Sequence, residues 1–279
     1  MKRKITEKLL IEFENRMYEE EKSKATVEKY LRDLRHFMAY SGKHAIDKPL
    51  VIAYKAELGR LYALTSANSM IAALNAFLRF AKWGDCCVKQ YKIQKNVFCS
   101  DEKELTKAEY LSLVKTAESK KKDRLCLLLQ TICSTGIRVS ELENITVEAV
   151  MKGEAVVSSK GKTRRVFIVS SLRGKLLKYI QKYRIKSGMV FVTRSGKAMD
   201  RSNIWAEMKK LCSDAGVSPD KVFPHNLRHL FARTFYCVEK DIVKLADILG
   251  HSNINTTRIY TISTGAEHRC KMEHMRLII

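Results

Sequence analysis

Almost all the periodicity in this 279-residue chain is helical, which predicts a mainly α protein. Apolar residues recur at three and four positions through most of it. Alternation of the kind a strand needs occurs only at Glu154–Ser158 and Arg164–Val169. The length is that of about two domains. The expected architecture is therefore a four-helix N-terminal domain followed by a mostly helical domain that carries one small antiparallel sheet.

Thr6 caps a helix with Leu9, Leu10, Phe13 and Met17 on one face. Thr26 is expected to open a second, with Tyr30, Leu34, Phe37 and Met38 facing inward and Gly42 after its end. Asp47 and Pro49 are start signals for a third, and a fourth is expected from about Ser66 to Trp83, stopped by Gly84. The pattern fails across the polar stretch 93–105, read as a linker between a domain at 1–92 and another at 106–279. Thr106 with Glu109 forms a capping box for the next helix, and Asp123–Thr135 is another. The two β-branched runs are joined by Lys160-Gly161-Lys162-Thr163, a hairpin with a basic tip. Helices are expected to follow near Leu172–Arg184, Ser202–Ala215, His225–Tyr236, Asp241–Leu249 and in the tail.

The charge points to a partner. There are 52 Lys and Arg against 30 Asp and Glu, a formal net charge of +22. Residues 1–100 contribute 19 basic and 11 acidic side chains, so both parts of the chain carry the excess. No apolar stretch approaches the ~20 residues of a membrane-spanning helix, and Glu7, Glu12 and Glu14 interrupt what would be the apolar region of an export signal. A cytoplasmic protein attracted to nucleic acid is expected, with no membrane partner. The eight cysteines show no Cys-x2-Cys pair and read as reduced thiols, several of them in apolar helical positions.

Four short segments hold the residues with chemical potential. In Thr135-Gly136-Ile137-Arg138-Val139-Ser140-Glu141-Leu142, Arg138 follows a helix-ending glycine and stands at the start of the next helix, where a guanidinium can meet a phosphate beside free N–H groups. From this segment alone an ordinary ion pair with Glu141 at i+3 is the preferred reading. In Pro224-His225-Asn226-Leu227-Arg228-His229 the two histidines and the arginine share a helix face. A surface helix is the plain alternative; His-x3-His is also zinc spacing, but Asn226 stands where a metalloprotease has its Glu. Leu249-Gly250-His251-Ser252-Asn253 and Thr256-Thr257-Arg258-Ile259-Tyr260 complete the set. Arginines, a lysine, histidines and a tyrosine without a carboxylate cluster suit phosphoryl transfer without metal or other cofactor. Guanidinium forks neutralise the transition state while a tyrosine oxygen displaces a sugar oxygen.

The order T-G-I-R-V-S-E-L, K-G-K in a hairpin, P-H-N-L-R-H and L-G-H-S-N-I-N-T-T-R-I-Y resembles the tyrosine recombinases (phage integrase family), nearest in size to the Xer-type and compact mobile-element members. The likeness spans about residues 105–265. The N-terminal helices resemble the family's SAM-like core-binding domain through Lys24-Ala25-Thr26, Tyr30, Asp33-Leu34 and Phe37. The resemblance implies a catalytic domain in which Arg138 and Arg228 clamp the scissile phosphate and Lys160 is the general acid for the 5′-oxygen. It further implies His225 as acid/base, His251 as a hydrogen-bonding partner of a phosphoryl oxygen and Tyr260 as the nucleophile. Glu141 and His229 would brace them. Lys162 competes with Lys160, which is preferred because the family's lysine precedes the turn glycine. The implied protein is a metal- and ATP-independent site-specific DNA recombinase that acts as a homotetramer on double-stranded DNA, monomeric when free, and associated with a prokaryotic nucleoid, phage or mobile element. Its tail, ending in Met275-Arg276-Leu277-Ile278-Ile279, would dock on a neighbouring subunit. A type IB topoisomerase, an architectural DNA-binding protein and a metal-dependent nuclease are the rival readings.

Overall fold

Side-chain caps and helix-stopping glycines set most of the element boundaries in the computed structural model, which describes residues 3–93, 104–159, 162–193, 195–251, 253–260 and 273–274. The chain divides into two compact units, residues 1–95 and 96–279. Of the linker expected over 93–105, residues 94–103 lie outside the described residues.

In the first unit Thr6 caps α1 (Glu7–Glu19) by accepting the Leu9 N–H, and Asp47 caps α3 (Lys48–Leu61) through the Leu50 N–H at 2.8 Å. The second helix starts earlier than expected. Ser23, not Thr26, is the cap of α2 (Lys24–Ser41), and Thr26 lies in the first turn, its hydroxyl 2.8 Å from that of Ser23. α4 (Leu64–Phe80) also begins and ends a little sooner, and a 3-10 turn at Gly84–Cys86 follows it. The four apolar stripes meet in one core, with Phe13 edge-on to Phe77 at 5.4 Å. Asn75, buried in that core, bonds both the N–H and the C=O of Val88 and so fixes the strand-like exit of the unit.

In the second unit the capping box of Thr106 and Glu109 opens α5 (Lys107–Ser119), and α6 spans Asp123–Thr135. α6 is buried over most of its surface, with Leu125, Leu128, Leu129 and Ile132 on one face and Leu127 beside them in the core. The helix expected to start at Arg138 is a 3-10 segment, Val139–Asn144, whereas α7 (Val147–Lys152) was not evident in the sequence because six residues are too few to show a period. β1 (Glu154–Ser159) pairs antiparallel with β2 (Lys162–Phe167), with Val157 opposite Arg164 and Ser159 opposite Lys162. Lys162 and Thr163 therefore begin a strand instead of belonging to the turn. Isolated bridges Thr146–Met189 and Val192–Ala198 add strand character that alternation did not reveal. α8 (Ser170–Lys182), α9 (Arg201–Ala215), α10 (Pro224–Glu239) and α11 (Ile242–Leu249) complete the unit, α10 lying against α6. Among the described residues no helix is long and apolar enough to cross a membrane.

Candidate active site

Gly136 and Gly250 end α6 and α11 in the left-handed conformation, at φ +64° and +65°. Each is also a close approach. A Cβ at 136 would sit 2.4 Å from the Phe231 ring, and one at 250 would sit 2.8 Å from Arg164 Cδ. These two tight ends leave main-chain carbonyls in need of donors.

Arg228, on α10 and only 2% exposed, supplies them. It donates to the Gly136 carbonyl at 2.5 Å and to the Leu249 carbonyl at 2.7 Å, and its Nη2 lies 3.1 Å from His251 Nε2. Both carbonyls stand at helix C-termini, where the helix dipole favours a cation. Burial, and then the charge of Arg138, lower its pKa to about 10, which leaves it protonated at neutral pH; neighbouring Tyr260 acts in the opposite direction. Among the described residues Arg228 makes no ion pair, so its charge is not cancelled locally.

The Arg228 contact also fixes the state of His251. A guanidinium only donates, so Nε2 of His251 accepts, and Nδ1 carries the proton and donates to the buried Thr257 hydroxyl at 2.9 Å. The ring is neutral. Burial first, then Arg228, Arg138 and Arg164, push its pKa down to about 4.

Arg138 caps the 3-10 segment that follows Gly136. Its own N–H and its Nη1 both reach Glu141, each at 2.8 Å. Glu141 is 3% exposed and holds a second guanidinium: Arg164 of β2 donates Nη1 to Oε1 at 2.8 Å and Nη2 to Oε2 at 2.7 Å. Burial alone would raise the Glu141 pKa, but the bonds from Arg164 and Arg138 outweigh it and hold the carboxyl at about 2. Sequence reading named Glu141 as the brace of Arg138 and overlooked Arg164. The available signal was alternation, since 164 shares a strand face with buried Val166 and Ile168.

His225, Arg138 and Arg228 line one cleft of about 860 Å³, together with Arg201 at the start of α9 and Asp200, which caps that helix through Asn203 N–H. Burial, followed by the charges of Arg228, Arg201 and Arg138, lowers the His225 pKa. His229, expected only to brace the helix, stands between His225 and Tyr260: its ring meets that of His225 at 4.5 Å and, nearly perpendicular, that of Tyr260 at 4.8 Å. Burial, then His225 and Arg228, push the His229 pKa down to about 4, and its buried Nε2 has no hydrogen-bond partner among the described residues. Tyr260 ends the last described 3-10 turn of the site, stacked on His251 at 6.0 Å and 18°. It is 4% exposed and belongs to a small core cluster with Ala232, Leu245 and Leu249.

The fold thus gathers Arg138, Glu141, His225, Arg228, His229, His251 and Tyr260 from α6, α10, α11 and their flanking turns. Lys160 lies outside the described residues. Among those described, no three His, Cys, Asp or Glu side chains are grouped to hold a metal ion.

Comparison with known proteins matches residues 103–267 to the phage integrase family and residues 10–84 to the phage integrase N-terminal SAM-like domain. The tyrosine recombinase XerA of Thermococcus kodakarensis is 30% identical over 278 residues, covering 96% of this chain and 95% of the relative. The tyrosine recombinase XerH of Campylobacter jejuni is 30% identical over 259 residues, 84% and 72% of the two chains. Among solved structures, a lambda integrase dimer bound to a COC′ core site shares the fold with TM-score 0.74 at 17% identity, over 91% of this chain and 94% of that one. XerH bound to its difH substrate before cleavage aligns with TM-score 0.64 at 20% identity, over 86% and 76%.

Proposed function

Since the chain belongs to the phage integrase family and is a tyrosine-type site-specific DNA recombinase, we propose that it cleaves and rejoins duplex DNA with the side chains gathered around Arg228. The observation that supports this most is Arg228 itself. A buried guanidinium bonded to two carbonyls and a neutral histidine, with no ion pair among the described residues, holds a positive charge that an anion entering the cleft would balance.

In this reading Arg138 and Arg228 grip the scissile phosphate and neutralise the charge its oxygens gain in the transition state. The Tyr260 oxygen attacks phosphorus; the bond to the 5′-oxygen breaks and a 3′-phosphotyrosine forms. The phenolic proton passes to His225, and Lys160 protonates the departing 5′-oxygen. Rejoining reverses each transfer, so the bond energy is retained and no nucleotide or metal is required. His251 enters as an acceptor from Arg228. A bound phosphate raises its pKa, and the ring, once protonated at Nε2, donates to a phosphoryl oxygen. His229 holds the Tyr260 and His225 rings in relation. Four protomers assemble on two double-stranded sites in the cytoplasm, at the nucleoid or on a mobile element, the tail beyond Tyr260 docking on a neighbour. In that tail only residues 273–274 are described.

Tyr260→Phe tests the assignment on a duplex carrying a nick that lets the cleaved end escape. The wild type should accumulate a covalent protein–DNA adduct, and the variant should bind the same duplex but form none. An adduct with the Phe variant would place the nucleophile elsewhere.

A further inference from the structure

Arg138 has an electrostatic problem as a phosphate clamp. Glu141 lies against it, contacting both its backbone N–H and its Nη1 at 2.8 Å, so the two side chains alone would be a neutral pair. An approaching phosphate would feel the carboxylate's repulsion as well as the guanidinium's attraction, because the two charges are one hydrogen bond apart. Glu141 cannot escape by taking up a proton at working pH, since its carboxyl is held at about 2.

Arg164 changes the balance. It faces Glu141 with its fork, one Nη on each carboxylate oxygen, at 2.8 and 2.7 Å. The cluster then carries two positive charges and one negative. Exposure sorts the two cations: the Arg164 side chain is 11% exposed, that of Arg138 34%. The inner guanidinium cancels the carboxylate, while the outer one lines the cleft. Arg164 is itself fixed on the opposite side. Its Nε donates to the Ile248 carbonyl at the end of α11 at 3.1 Å, and Gly250 leaves room for its chain. It rides on β2, two residues after the start of that strand at Lys162.

We propose that Arg164 is a positioning residue whose charge neutralises Glu141, leaving the charge of Arg138 available to the scissile phosphate. The inference rests on Arg138 being the clamp described above. It separates two roles that one carboxylate would otherwise confuse: Glu141 orients Arg138, and Arg164 removes the electrostatic penalty of that orientation.

The test measures single-turnover phosphotyrosine formation on the nicked duplex for the wild type, Arg164→Met, Arg164→Gln and Arg164→Lys, with folding followed by circular dichroism. Loss of one preorganised charge from such a site costs on the order of 100-fold, so the Met and Gln variants should slow by about that factor while binding DNA as before. Lys, which keeps the charge, should recover much of the rate. Two comparisons separate charge from scaffolding. Glu141→Gln placed on Arg164→Met removes the carboxylate's charge and should raise the rate above that of Arg164→Met alone. A duplex with a neutral methylphosphonate at the scissile position should show a much smaller difference between wild type and Arg164→Gln, because there is less charge to bind. If folded Gln or Met variants cleave at the wild-type rate, or if the loss is the same on both substrates and the double variant is no faster, Arg164 is only a scaffold and the inference fails. A wild-type chain that forms no adduct would instead overturn the assignment of roles on which it rests.

Discussion

Arg228 and Arg138 carry the same charge into the same cleft but are tied to the fold in different ways, and substitution should separate them. Arg228 satisfies two helix-end carbonyls from within the protein. Arg228→Met leaves both without a donor, at about 1–3 kcal/mol for each buried group, so it should lower the melting temperature as well as abolish cleavage. Arg138 is a third exposed, and its loss leaves Glu141 still held by Arg164. Arg138→Met should therefore abolish cleavage with little change in melting temperature. Equal thermal shifts in the two variants would contradict this division. The sequence named both arginines through motif order. It did not reveal Arg164, whose partner Glu141 is 23 positions away, outside the reach of any local pattern.

Among the elements, the turn at Gly136 governs the site because it ends α6, places Arg138 and offers its carbonyl to Arg228. Alanine there must adopt a positive φ, at about 1 kcal/mol or more, and its Cβ would overlap the Phe231 ring at 2.4 Å. Gly136→Ala should destabilise the second unit measurably in urea and slow cleavage at the same time, whereas Gly174→Ala, which meets nothing within 4 Å inside α8, should do neither. Most helix ends were legible for comparable local reasons: Thr6, Asp47 and Thr106 are caps in the sequence and caps in the fold. Ser23 and Thr26 show where that legibility stops. Both are good caps three residues apart, and only packing decides which one lies outside the helix. The 3-10 segment at Val139–Asn144 was legible only in its start at Arg138, because its two buried residues, Glu141 and Leu142, make no repeat that would show its type or length.

For the whole molecule, the excess of 52 basic over 30 acidic side chains spans both units. A protein meeting six to ten phosphates loses roughly 10³–10⁵ in affinity between 50 and 200 mM salt, and a drop of that order is expected here on a specific duplex; a flat salt response would mean that the charge is not used on the DNA backbone. Acid should act on the fold itself. His229 and His251 bind protons only near pH 4 when folded but near 6.5 when unfolded, so between those values the unfolded chain holds more protons. Stability contributed by the neutral rings is present above pH 6.5 and is lost as pH falls toward 4. Glu141, shifted from 4.5 to about 2, extends the loss below that. Thermal melts from pH 7 to 4 should fall steadily, and His229→Phe should flatten part of the decline.

The burial of Tyr260 has a chemical consequence for the resting protein. At 4% exposure, packed with Leu245 and Leu249 and against two imidazoles, its ring is shielded from reagents dissolved in water. Tyr18, Tyr40, Tyr62 and Tyr183 are each more than a third exposed. A nitrating reagent should mark those four and spare Tyr260, so the oxygen proposed to attack DNA is kept sheathed, and unsheathing it requires the small core around it to open.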